Sequence, residues 1–244
     1  GDPYDPQRLA ESERLLRGKR YLHDAGVEPI AVHEMPGGMQ RVDVGVTTRD
    51  VWTLALGAGV GRSGGTNETH LMLRDSNFLG TGRYLSLARD ANVDRTETAL
   101  NFIDANLFGR HGRFSLNWSD NSDGHERELG FGRPFYALDS RWGAGAQVHD
   151  FGRVDHRYSL GHSYDDFGHE RREAELWGGW SNGLDGSGRA RRYRIGLSWS
   201  EDTFRPVDGT LEPLPESQGL AYPWVSVELT QEAFRQEKNL DQMG

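Results

Sequence analysis

Few residues in this chain have types and spacing that could do chemistry, and their surroundings argue against it. Gly61-Arg62-Ser63-Gly64-Gly65 has the G-x-S-x-G form of a nucleophile elbow. An elbow sits where a strand turns into a helix. Here the following segment, Thr69 to Asp75, alternates like another strand, so the motif reads as a glycine-rich hairpin. Gly57, Gly59 and Gly61 hint at a phosphate loop, but the G-x-G-x-x-G spacing fails and no Lys-Ser/Thr follows. The histidines, among them His149, His156, His162 and His169, match no zinc spacing and no His–carboxylate cluster, and read as solvated or lumen-facing. Asp165-Asp166 and Glu173/Glu175 have the chemistry of a glycosidase pair. They lie beside a turn and on an alternating polar face, where solvated charge is expected. Asn67-Glu68-Thr69 and Asn117-Trp118-Ser119 fit the glycosylation pattern, the second in mid-strand. No catalytic, cofactor-binding or metal-ligating residue is assigned, and no enzymatic activity is expected.

The informative pattern lies in the elements that would position such residues. Arg189, Arg191, Tyr193, Ile195, Leu197 and Trp199 share one side of an extended strand, while Ala190, Arg192, Arg194, Gly196, Ser198 and Ser200 share the other. The same alternation recurs from about Val51 to Leu229. Phe114, Leu116 and Trp118 oppose Arg113, Ser115, Asn117 and Ser119; Trp142, Ala144, Ala146 and Val148 oppose Gly143, Gly145, Gln147 and His149. About eleven strands are predicted beyond Asp50, with hairpin dipeptides at Asp123-Gly124, Asn182-Gly183 and Asp185-Gly186. Trp52, Trp118, Trp142, Trp199 and Trp224 fall toward strand ends, as in the aromatic girdles of a membrane barrel.

Composition fits a barrel with a wet interior. Of 244 residues only 35% are hydrophobic, yet 7 Trp, 8 Tyr and 10 Phe argue against disorder. A net charge of −9 disfavours nucleic acid as the main partner. The absence of cysteine excludes disulfides and thiolate chemistry. No apolar run is long enough for a membrane helix, which leaves a barrel open because its strands are short and alternating.

The first fifty residues differ. Pro6 to Arg20 is predicted as a helix with Asp5-Pro6 at its start, followed by extended segments at Arg20–His33 and Gln40–Thr48 about a Pro36-Gly37-Gly38 turn.

Two segments carry a family resemblance. Asn77-Phe78-Leu79-Gly80-Thr81-Gly82-Arg83-Tyr84-Leu85 resembles the N-[FL]-x-G-x-G-x-x-L hairpin near the start of the barrel in the Omp85 superfamily of outer-membrane proteins, the BamA and TamA type also described as bacterial surface antigens. Asp104-Ala105-Asn106-Leu107-Phe108-Gly109 resembles the D-P-x-L-F-G hairpin that follows, with Ala105 in place of Pro. Phe78 and Phe108 are expected to anchor strand ends at the interface.

The resemblance implies that residues 1–49 are the end of a periplasmic α+β POTRA domain. Residues 50–244 would then be the first strands of an antiparallel, sixteen-stranded outer-membrane β-barrel, present as a fragment without the family's Arg-Gly-Phe loop. It further implies insertion of other outer-membrane proteins, or polypeptide translocation, by strand pairing at a lateral seam, with no cofactor. The partners would be unfolded outer-membrane or secreted polypeptides, periplasmic accessory proteins and the lipid bilayer. The seam strand would carry Trp52, Leu54, Leu56, Gly57, Gly59 and Gly61, and the hairpin residues would be Asn77, Phe78, Gly80, Gly82, Asn106, Phe108 and Gly109. A passive outer-membrane pore, or a soluble β-rich carbohydrate-binding protein or hydrolase, are the alternatives.

Overall fold

Alternating sequences of this kind fold as antiparallel hairpins, and the computed structural model of the chain consists almost wholly of them. It describes residues 4–63, 65–92, 95–160, 162–208, 210–211 and 213–231. A single helix, α1 (Pro6–Arg17), starts at Asp5, whose Oδ1 accepts the Gln7 N–H at 2.9 Å. It ends three residues before the predicted Arg20, because the Gly18 N–H closes onto the Arg14 carbonyl and the chain turns away. Next come β1 (Leu22–Glu34) and β2 (Gln40–Asp50), a separate two-stranded hairpin. The helix and hairpin are where the sequence places them, but no complete POTRA domain is evident among the described residues.

Ten strands form the second sheet: β3 (Leu54–Ser63), β4 (Thr66–Phe78), β5 (Arg83–Ala91), β6 (Thr96–Leu107), β7 (Gly112–Asn121), β8 (Gly124–Arg133), β9 (Trp142–Ser159), β10 (His162–Leu184), β11 (Arg189–Pro206) and β12 (Gln218–Gln231). Each pairs only with its neighbours in sequence, from β3 to β12, and all pairs are antiparallel. The fold is therefore mainly β, an antiparallel meander. The sheet is open among the described residues, with one edge of β3 and one of β12 unpaired, where the sequence predicts a barrel wall.

Ten strands replace the predicted eleven because Arg141–Asp150 and His156–His162 are not separate elements. Phe151 to Asp155 stay paired with β10 through Gly152, so β9 runs unbroken to Ser159. Asn182-Gly183 is likewise not a hairpin tip. It forms a bulge inside β10, and the turn lies beyond it, where Asp185 Oδ1 accepts N–H groups from Ser187 and Arg189 at 2.9 and 3.0 Å. Between Ser63 and Thr66 the chain turns from strand directly into strand, with no helix for an elbow; Gly64 lies outside the described residues.

Very little of this molecule is a conventional core. Among the described residues the buried apolar ones are Ala25, Ala137, Leu138, Phe167 and Ala190. Three of these lie at the α1 end of the sheet, where the 134–141 segment packs under the helix. The Leu138 N–H donates to Glu11 at 2.9 Å, and Arg192 donates to the Ala137 carbonyl at 3.2 Å.

Candidate functional site

The candidate site is the outer face of the large sheet together with its free edge. Strand register sets which side chains share that face. Row by row across β7 to β11 it carries Leu116, Leu129, Val148, Ala174 and Trp199, then Phe114, Phe131, Ala146, Leu176 and Leu197. Further toward α1 come Ala144, Gly178 and Ile195, then Trp142, Trp180 and Tyr193. Many of these side chains stand in the open: Leu176 is 63% exposed, Phe131 56% and Ile195 55%, and on the flanking strands of the same face Leu56 is 77%, Val60 89% and Val225 80%. Contiguous apolar surface on this scale marks an interaction site.

The apolar rows have defined limits. At the α1 end stands an aromatic row, with Trp180 stacked on Tyr193 (5.6 Å between ring centroids) and Arg133 over the Trp142 ring at 4.2 Å. At the far end the row Trp118, Arg127, Asp150, Arg172 and Glu201 is charged. From Glu201 to Tyr193 is eight residues, roughly 27 Å along the strand and about 20 Å along a membrane normal at barrel tilt, close to the apolar band of outer-membrane barrels. Of the predicted girdle, Trp118, Trp142 and Trp199 stand on this face. Trp224 does not: it packs over Gly196 on the opposite face and donates Nε1–H to Ser198 at 3.0 Å. Trp180 stands in the same row as Trp142, a place that its neighbours Gly178 and Gly179 disguise in the sequence.

The band narrows at β5 and β6. There only Leu85, Leu87, Leu100 and Phe102 lie between an Arg83–Asp104 ion pair at 2.9 Å and an Arg89–Thr98 hydrogen bond at 3.2 Å.

The inner face is polar and cross-linked between strands. Asn101, Asn117, Glu128, His149, Glu173 and Ser200 form one row across six strands. His149 lies 3.1 Å from Glu126 and 3.2 Å from Glu173; His169 lies 3.0 Å from Asp155 and 2.8 Å from Asp202. Each of these two histidines thus sits between carboxylates of neighbouring strands, although their linear spacing matches no zinc pattern. Register brings together residues 14 to 33 apart in sequence, which linear spacing cannot show. No group of three or more such side chains among the described residues is placed to hold a metal ion. Glu173 and Glu175 stay on the polar face as expected. Asp165 does not stay solvated: it is buried, 2.8 Å from Arg157, and accepts the Leu211 N–H at 2.6 Å.

The two hairpin motifs prove to be one device used twice. Asp75 accepts the Asn77 N–H at 2.9 Å, and Asn77 Oδ1 accepts the Gly82 N–H at 2.6 Å. Asp104 accepts the Asn106 N–H at 3.0 Å, and Asn106 Oδ1 accepts the His111 N–H at 3.2 Å. Each turn then takes three positive φ angles, at Leu79, Gly80 and Gly82 and at Phe108, Gly109 and His111. Phe78 therefore has no counterpart in Phe108. The matching residue is Leu79, and Leu79 and Phe108 are the exposed tips, 80% and 83% accessible. Phe108 is thus exposed at a turn tip, whereas Phe78 is half-buried and paired with Arg83.

Of the seam-strand residues, Leu54, Leu56, Gly57, Gly59 and Gly61 lie in β3, alternating between its two faces, while exposed Trp52 precedes the strand. Tyr21 lies beside Gly82, and Arg20 sits over the Tyr84 ring at 4.9 Å, so the N-terminal unit rests on the β4–β5 turn.

No family model matches the chain, and no curated protein matches it. Among solved structures it is similar to BamA from Haemophilus ducreyi lacking POTRA domains 1–3, at 14% identity and a TM-score of 0.38. The likeness covers 84% of this chain and 50% of that one, so the chain spans half the length of that structure. So distant a likeness assigns no function.

Proposed function

We propose that the ten-stranded sheet is part of the wall of an outer-membrane β-barrel that inserts or translocates other polypeptides by pairing strands at its β3 edge. The observation that supports this best is the apolar face bounded by aromatic and charged rows, backed by a polar inner face. A soluble sheet would have to cover those rows, whereas a bilayer covers them without further protein. On this reading the α1 end, with its short turns and Leu79 and Phe108 tips, faces the periplasm, and the long β9–β10 hairpin faces outward. The α1–β1–β2 unit is then the end of a POTRA-like domain that receives substrates or accessory proteins. The protein is not an enzyme on this reading and takes no cofactor.

Two features favour strand pairing over a passive pore. The free β3 edge presents unpaired backbone groups, which template an incoming strand. The narrow apolar band at β5 and β6 lies two strands away, and a band thinner than the bilayer strains the lipid beside it, easing lateral entry.

Because the chain has no cysteine, the test is clean. Leu56→Cys, Ala58→Cys and Val60→Cys variants of the full chain in bilayers would be offered an unfolded outer-membrane polypeptide carrying single cysteines. Disulfides forming in an antiparallel register along β3 are expected. A chain that inserts into bilayers yet forms no adduct at any of the three positions would eliminate strand pairing there. A product monodisperse without detergent would eliminate the membrane reading.

A further inference from the structure

A shallow groove of ≈530 Å³ interrupts the outer face just inside its charged limit. Its floor is Leu129, Val148 and Ala174, and Trp118 and Trp199 close its two ends. Its rim is Arg127, Asp150 and Arg172, neighbours in a single row across β8, β9 and β10. Each part has a different chemical preference. The floor is apolar and, at Ala174, low enough to admit a chain. The tryptophans have the amphipathic rings favoured at headgroup depth. Above them sits a cluster of two cations and one anion.

The acid is already engaged. Asp150 is 3.0 Å from His125 and 3.3 Å from Arg172. Arg127 has no carboxylate partner among the described residues and is exposed. Asp120 and Glu201 flank the rim on β7 and β11 but do not line the groove. Glu128 and Glu173 also border the groove, but strand alternation puts their side chains on the polar face, where Glu128 accepts from Gln147 at 3.0 Å and Glu173 lies 3.2 Å from His149. On the apolar face Arg127 is therefore the one charge beside the floor without an ion-pair partner among the described residues.

We infer that this groove is a binding site for an acylated lipid with an anionic phosphate headgroup. Arg127 and Arg172 take the phosphate oxygens, Trp118 and Trp199 hold the glycerol-level segment, and an acyl chain lies over Leu129, Val148 and Ala174. The guanidinium fork matches phosphate oxygens in pairs. An acyl chain alone would gain nothing here over the rest of the apolar face, so selectivity comes from the rim. The inference rests on the membrane reading above.

Tryptophan quenching separates the two. The full chain would be inserted into phosphatidylcholine bilayers containing a fixed fraction of lipid with brominated chains, either phosphatidylcholine or phosphatidylglycerol. Quenching by brominated phosphatidylcholine reports insertion. A relative binding constant for phosphatidylglycerol of roughly fivefold is expected, the effect of about one unpaired arginine on an anionic lipid. That preference should fall to one in Arg127→Gln/Arg172→Gln and vanish with the reporters in Trp118→Phe/Trp199→Phe. It should persist in Arg62→Gln, which lies on β3 away from the groove. Strong quenching with equal affinity for both lipids would overturn the lipid site and leave the membrane reading standing. No quenching by either would remove both.

Discussion

Asp165 is a charge that the sequence leaves in water and the fold places inside. It ties β9 to β10 through Arg157 and pins the 207–217 connection through Leu211. Asp165→Asn keeps the shape but removes the counter-charge. The expected loss is about 1–3 kcal/mol, toward the lower figure because Arg157 is a third exposed. The unfolding midpoint in urea reads it, with faster proteolysis of the 207–217 connection as a second sign; an unchanged midpoint would mean the carboxylate is hydrated. In the two turns, Asn77→Ala and Asn106→Ala each remove one side-chain acceptor from a backbone N–H, at about 1 kcal/mol apiece. Equal effects are expected because the two turns are built alike. The Asp-x-Asn spacing at Asp75/Asn77 and Asp104/Asn106 was visible in the sequence. Phe78 and Phe108, the more conspicuous residues, occupy different positions in the two turns and hide that equivalence.

At the scale of elements, α1 is joined to the large sheet by Glu11. Burial works to raise the Glu11 pKa, but hydrogen bonds from Arg14 and the Leu138 N–H, with the nearby charges of Arg14 and Arg192, outweigh it and hold the carboxyl below the ordinary glutamate value. A lowered folded-state pKa gives stabilisation that is complete above the unfolded value and is lost as pH falls through the folded one. Protection of α1 against hydrogen exchange, taken relative to the intrinsic rate at each pH, should therefore be unchanged from neutral pH down to the ordinary glutamate pKa, then fall in more acid solution. Glu11→Gln should show the faster exchange already at neutral pH. If it exchanges like the parent, Glu11 is not the tether. Strand positions were largely legible because period-two alternation survives even in an open sheet. The division of β9 was not, because Gly152 mimics a turn and only its pairing to β10 shows otherwise.

At the scale of the whole molecule, the two faces of one sheet should respond oppositely to the same substitution. Leu176→Arg puts a charge in the middle of the apolar band and should cost about 2–4 kcal/mol for folding into a bilayer. Ser198→Arg, one strand away on the polar face, should cost far less. Reversible folding into vesicles, titrated with denaturant, measures both; equal costs would mean that the apolar face meets no lipid. The polarity of the two faces was legible in the sequence, but their limits were not. Strand register alone aligns Trp142, Trp180 and Tyr193 into one row and puts Trp224 on the other side.

The strict neighbour-to-neighbour order of β3 to β12 also governs how the sheet can assemble. Every pairing closes a loop of modest length, and two of the turns carry their own hydrogen-bonded scaffold, so each hairpin can form in microseconds without waiting for a distant segment. Closing a wall is a different event. On the proposed barrel reading it would join β3 to a strand far along the chain and bear the largest loop-closure entropy, so the sheet could be complete and stable while that contact was still unmade. Slow closure would leave β3 unpaired for as long as assembly of the rest takes, with time for another chain to reach it first.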